Sequence, residues 1–324
     1  MRHDVITKPS ACLLIWLLAL PSPAPAAELK PEAVRGFEQY VQLTERRIQD
    51  DLRPGGTFLW VDTLPEARRQ EAAARLRLGQ VVIERMEARE AAGSISTPGA
   101  LMHHWIGTVL ISGATLGRVL RTIQDYDRHQ EYYGPEVVKS RTLERSGDDF
   151  RIYLRLKRTK IITVVFDTEH EVRYQYLDST RAYSESRSSR IVEVERPGQT
   201  SERALPDGEG RGFLWRLYSY WRFFEAHEGV YVQCEAVSLT RDIPTGLGWL
   251  AGRFVESIPK ESLDFTLQST RAAVLREISR VSPRTEAGAF APPRPTASFA
   301  ATTYQLNFGG ATWPAMQDCC KADR

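Results

Sequence analysis

Six strand-like segments in succession, followed by one long amphipathic helix, constrain this chain more than any other feature. The segments occupy about 136–145, 149–158, 161–176, 181–194, 212–224 and 230–241. Successive side chains point to opposite faces of a strand, so alternation gives each segment one apolar face for a core. Turn-like residues separate them: Ser146-Gly147-Asp148, Leu177 to Thr180, and Ala226 to Gly229. The helix that follows spans about Pro259 to Arg280, with Pro259 suited to its first turn. Leu263, Leu267, Thr270, Val274 and Ile278 form its apolar stripe. Strands and helix together make an α+β domain.

Upstream, His103 to Ser112 has strand character and Gly113 ends it. Thr115 to Tyr126 reads as a helix with Leu116, Val119, Leu120 and Ile123 on one face, and Arg128 to Tyr133 as a shorter one. Residues 31–97 read mostly as helix. Val34, Phe37, Tyr40, Val41, Ile48 and Leu52 form a first stripe, broken at Arg53-Pro54-Gly55-Gly56. A second helix opens at Pro65 and runs through Met86, rich in the alanine and arginine that favour helix. Gly93 to Gly99 is a linker by composition, and 196–211 is an exposed loop.

Arg2, His3 and Lys8 precede an apolar run, Ala11 to Leu20, and Ala24-Pro25-Ala26 supplies small residues for cleavage after Ala26. That run is about half the roughly 20 residues a membrane span requires, so the expectation is a secretory signal and an exported protein, periplasmic or secreted. The expected organisation is then a signal peptide (1–26), a helical N-terminal extension (27–97), the α+β domain (98–281) and a disordered Pro/Ala-rich tail (282–324). A net charge of +2 offers no basic field for nucleic acid. Cys234, Cys319 and Cys320 have neither disulfide-framework nor zinc spacing. Stability must come from burial.

The element order resembles that of START domains and polyketide cyclases. Gly113-Ala114-Thr115 through Val119-Leu120 and Asp125-Tyr126 is similar to the family's turn into its first helix, followed by a tyrosine-rich stretch, here Tyr132-Tyr133. Ser238 to Gly248 is similar to its last strand and proline turn. The resemblance covers about 100–280. It implies a helix-grip fold: a curved antiparallel sheet of about seven strands around the C-terminal helix, with the N-terminal helical segment in front. It also implies a cavity between sheet and helix for a hydrophobic small molecule, lipid-like or aromatic. Fold by itself does not give function.

Alternation suggests the lining. In 161–176 the set Val164, Phe166, Val172 and Tyr174 is apolar and faces inward, and in 149–158 Leu154 does so. Trp215, Leu217 and Trp221 form the inward face of 212–224, while Leu263 and Leu267 come from the helix. The turn Ala226 to Gly229 would set Trp221 opposite Cys234 and Ser219 opposite Ala236, leaving volume beside the aromatics. The turn Leu177 to Thr180 would pair Tyr174 with Tyr183, Val172 with Glu185 and His170 with Arg187. His170, Glu185 and Arg187 would then share the inward face and hold a polar head group, with Arg187 as donor fork. A register slip of one residue would turn these positions elsewhere.

No G-x-S-x-G elbow, Walker loop, H-E-x-x-H or Rossmann fingerprint occurs. His103 and His104, adjacent in a strand, point to opposite faces and cannot share one metal. No cofactor, metal or catalytic set is expected. Two alternatives stay open. Cyclases of the family implied by the resemblance work by cavity shape and one or two polar groups, which would make Arg187, Tyr174 and Glu185 the candidates. An interaction module with a filled core is the other. The basic strand Arg151 to Lys160 leaves transient contact with an anionic membrane surface possible.

Overall fold

Pro31 pre-sets the backbone for the first turn of α1 (Pro31–Leu52), whose buried stripe contains Ala33, Phe37, Tyr40, Val41, Thr44 and Ile48. Phe58 to Val61 are buried around a short turn, and α2 (Glu66–Arg77) follows. The sequence pattern extends this helix to Met86, but it ends at Arg77. Gly79 takes φ +72°, and its N–H reaches Leu76 O at 2.8 Å, the left-handed cap that releases a chain from a helix. The released residues form a strand, β1 (Val82–Arg85).

The remaining elements are β2 (Ala100–Ser112), α3 (Leu116–Ile123), α4 (His129–Tyr132), β3 (Val137–Ser146), β4 (Asp149–Thr159), β5 (Thr163–Tyr176), β6 (Arg181–Glu195), β7 (Arg203–Ala204), β8 (Arg216–Ala226), β9 (Gly229–Arg241) and α5 (Gly248–Val281). The computed structural model describes residues 28–87, 95–159, 163–206, 209–242 and 248–281, without the side chains of 248–256 and 281. The expected signal segment, the first residues of the linker, the proline turn beyond Asp242 and the tail with Cys319 and Cys320 lie outside the described residues.

Antiparallel pairing orders the sheet β1-β2-β9-β8-β6-β5-β4-β3, with β7 attached to β6. The described sheet thus has nine strands where about seven are expected; β1 and the two-residue β7 account for the excess. Wrapped around α5, it is a helix-grip fold. Helix α5 starts well before Pro259, which sits inside it. The proline ring holds a helical φ, so a helix can run into it at the loss of one hydrogen bond.

Two buried layers flank the sheet. On the concave side Val109, Ile111, Val172, Tyr174, Phe223 and Val232 pack with Leu263, Leu267 and Val274 of α5. Gly107 lets the helix come close: a Cβ there would lie 2.7 Å from Leu267 Cδ1. On the convex side α1 covers Tyr183, Tyr220, Val237 and Leu239, and Phe58 to Val61 with α2 cover Ile106 and Leu110. Burial on both faces explains why the central strands are apolar on both. The β8–β9 hairpin closes at Gly229, with φ +144° and a would-be Cβ 2.2 Å from Ile111 O. Gly229→Ala is expected to destabilise the fold by more than about 1 kcal/mol, because backbone, not a movable side chain, occupies the space. Urea denaturation measures it.

Candidate functional site

The concave face is built row by row across the sheet, since directly paired residues share a face. One row reads Tyr174, Ser184, Trp221, Cys234, Gly107, and the next Val172, Ser186, Ser219, Ala236, Trp105. The expected pairs Trp221–Cys234 and Ser219–Ala236 are present. Small residues on three adjacent strands thus stand between aromatic and aliphatic ones. Trp105, Leu154, Ser186, Leu217, Ser219, Trp221 and Ala236 are only half-buried, although they face α5's side of the sheet. A filled core would bury such positions completely. Among the described residues, the middle of this concave face is its least covered part.

The sequence-derived lining set divides. Val172, Tyr174, Leu263 and Leu267 belong to the packed layer under α5, and Leu154 and Trp221 lie against it. Val164, Phe166 and Leu217 belong to a second apolar cluster with Ile191, further along the strands. Trp215 departs from expectation. It precedes β8, which starts at Arg216, and is buried in the convex cluster with Phe37 and Leu239. The alternating pattern starts at 212, but strand pairing begins only at Arg216, so parity does not govern Trp215.

The polar trio also separates. Tyr174 pairs with Ser184, Val172 with Ser186 and His170 with Ser188, one residue on from the expected register. Asp178 causes the slip: its Oδ1 accepts the backbone N–H groups of Thr180 and Arg181, both at 2.8 Å, so the turn takes an extra residue. Glu185 and Arg187 are therefore on the convex side, where Arg187 pairs with Glu45 of α1 at 2.7 Å and lies 3.7 Å from Glu185. They cannot act with Tyr174 on a molecule in the concavity. Tyr174 bonds Tyr126 hydroxyl to hydroxyl at 2.7 Å, and burial pushes both phenols up.

His170 stays on the concave face, 4% exposed, next to Thr168 and between the two apolar clusters of β5. Burial lowers its pKa to about 4, so it is neutral at pH 7. Its Nε2 lies 3.1 Å from Thr168 Oγ1, and its buried Nδ1 has no partner among the described residues. Ser188 opposite accepts the Leu217 N–H on its hydroxyl oxygen at 3.0 Å.

A second polar constellation, missed in the sequence, lies under α1. His104 sits between Tyr40, with Nδ1 2.7 Å from its hydroxyl, and Glu235, 2.6 Å from Nε2. Arg47 also pairs with Glu235. Arg222, 1% exposed, donates to Phe58 O at 2.7 Å and Asp51 Oδ2 at 2.9 Å. Burial pushes the Glu235 carboxyl up, but the His104 hydrogen bond and the charges of His104, Arg47 and Arg222 outweigh it and hold it below the usual range. His103, on the opposite face as expected, bonds Thr240 at 3.0 Å.

The sequence matches no family model and no curated protein. Solved structures similar to it include a STAR-related lipid transfer protein fragment from Xanthomonas axonopodis, 18% identical over 60% of this chain and 98% of its own, TM-score 0.37. Human STARD10 is 8% identical over 67% of this chain and 83% of its own, TM-score 0.38. The Zhui aromatase/cyclase from a Streptomyces species is 16% identical over 56% and 95%, TM-score 0.35. Likenesses this slight add nothing to what sheet order and helix placement already establish.

Proposed function

We propose that the chain is an exported binding or transfer protein that holds a hydrophobic small molecule, lipid-like or aromatic, between the concave face and α5. The half-buried middle of that face carries the reading: small residues and tryptophans retain accessible surface where a core would be closed. The family resemblance of residues 100–280 points the same way. Export follows from the basic, apolar and small-residue succession of residues 1–26. Transient contact with an anionic membrane would use the basic outer face of β4, where Arg151 and Lys157 are exposed.

Native mass spectrometry with organic extraction, on mature protein purified from the envelope of its own kind of host, tests it. The expected result is a stoichiometric lipid-like or aromatic compound bound to the chain. A clean ligand-free mass, with no thermal shift across a lipid panel, overturns the carrier reading.

A further inference from the structure

We infer that the cleft between the end of α3 and strand β3 binds a phosphate monoester, with the guanidinium groups of Arg121 and Arg145 holding its oxygens. The site lies at the rim of the concave face and does not depend on the carrier reading above.

Arg121, Asp125 and Asp127, from the end of α3 and the turn after it, line this cleft together with Thr142 and Arg145 of β3 and Phe150 of β4. Its volume is about 420 Å³. Arg145 pairs with Phe150 and Thr142 with Ile152, so both belong to the concave side of the sheet edge. The Arg145 guanidinium carbon is 4.7 Å from the centroid of the buried Phe150 ring, and its Nε donates to Gly147 O at 3.3 Å. These contacts fix the group and leave both terminal nitrogens without an acceptor among the described residues. Arg121 is exposed and has neither hydrogen bond nor ion pair among them.

The two carboxylates of the cleft do not close it to an anion. Asp127 accepts the Thr142 backbone N–H at 2.8 Å and its hydroxyl at 3.4 Å. Asp125 accepts the Tyr132 hydroxyl at 3.2 Å and lies 3.6 Å from Arg128. The acids are committed to protein donors, while the arginines keep open forks. A neighbouring cleft of about 450 Å³, which shares Phe150, is the contrast. Its Arg151, Arg173 and Arg187 pair with Glu144 at 3.5 Å, Asp149 at 2.7 Å and Glu45 at 2.7 Å. One carboxylate plane accepts a single bidentate fork, whereas a phosphate presents oxygens to two. The volume falls within the roughly 300–1,000 Å³ of small-molecule sites, which leaves room for the organic group that the phosphate esterifies. Phe150 supplies an apolar wall for it.

Titration calorimetry on the full mature chain tests this with glycerol 3-phosphate and glycerate. The phosphate is expected to bind about tenfold more tightly, since it alone engages both arginines. Arg121→Gln and, separately, Arg145→Gln should each weaken phosphate binding about tenfold. Both arginines are exposed, so neither variant is expected to unfold the chain. Arg173→Gln removes the same charge from a paired arginine of the neighbouring cleft and should leave the affinity unchanged. Flotation with phosphatidylcholine vesicles, with and without phosphatidic acid, assigns the source of the phosphate. Recruitment by phosphatidic acid that Arg121→Gln abolishes marks a lipid phosphate, and glycerol 3-phosphate binding without recruitment marks a soluble one. An equal loss in Arg173→Gln would reduce the effect to general surface charge and overturn the site. Glycerate bound as tightly as glycerol 3-phosphate overturns the phosphate assignment, and binding of neither the soluble phosphate nor the phosphatidic acid vesicles overturns the whole inference. None of these results touches the carrier reading, which the co-purified compound decides.

Discussion

Replacing Arg222 with methionine is expected to lower the free energy of unfolding by about 3 kcal/mol, the low end for breaking a buried ion pair. Methionine matches much of the arginine's volume, so the loss comes from unpaired acceptors, not from a void. Phe58 O loses a 2.7 Å donor, and Asp51 loses the better of its two arginines, since Arg47 stands at 3.2 Å. Asp51 is a quarter exposed, and water screens part of the penalty, which is why the upper end is not expected. Urea denaturation at neutral pH measures the change, and limited proteolysis within α1 should accelerate alongside. A loss under about 1 kcal/mol would show that α1 and the loop after it are not held to the sheet through this residue.

This layer also bears on the proposed ligand binding. The convex face, with α1, α2 and the Phe58–Val61 loop, supplies two apolar clusters that do not touch the concavity.

The boundaries of most strands and the inward parity of β4 and β5 were legible in the sequence because local alternation decides them. So was the pairing of β8 with β9, since His227 and Glu228 close a short turn. The pairing of β5 with β6 was not. It depends on whether Asp178 caps two backbone N–H groups, and one residue of difference exchanges Glu185 and Arg187 for Ser184, Ser186 and Ser188 on the concave face. A signal was available in the amphipathic stripe of α1. That stripe needs an apolar partner, and Tyr220, Val237 and Leu239 sit at the outward parity of strands already apolar inward. Strands apolar on both faces call for a cover on each. The constellation under α1 was invisible for a different reason: sheet pairing sets His104, Glu235 and Arg222 on one face, but their partners Tyr40, Arg47 and Asp51 arrive only with the docked helix.

Acid should unfold this protein well above the range where carboxylates protonate. His103, His129 and His170 are each under a tenth exposed, and burial lowers each pKa to about 4, helped at His103 by Arg85 and opposed at His129 by its hydrogen bond to Ile123 O and by Asp127. In the unfolded chain they titrate near 6.5. Above that pH both states are neutral at these sites and nothing is lost. Between about 6.5 and 4 the unfolded chain binds protons that the folded one refuses, so stability falls with pH. At pH 5 the loss is about 2 kcal/mol for each histidine, about 6 kcal/mol for the three, which rivals the whole stability of an ordinary domain. Glu235 acts lower down: its depressed pKa contributes stability above the ordinary carboxylate range that is lost as pH falls through the folded value. Urea denaturation at pH 7 and pH 5 should therefore give widely separated midpoints. His129→Gln, which removes one titrating site outside the concavity, should narrow the gap by about a third, whatever it does to stability at pH 7. Equal midpoints at the two pH values would mean that water reaches these rings and that they protonate in the folded chain.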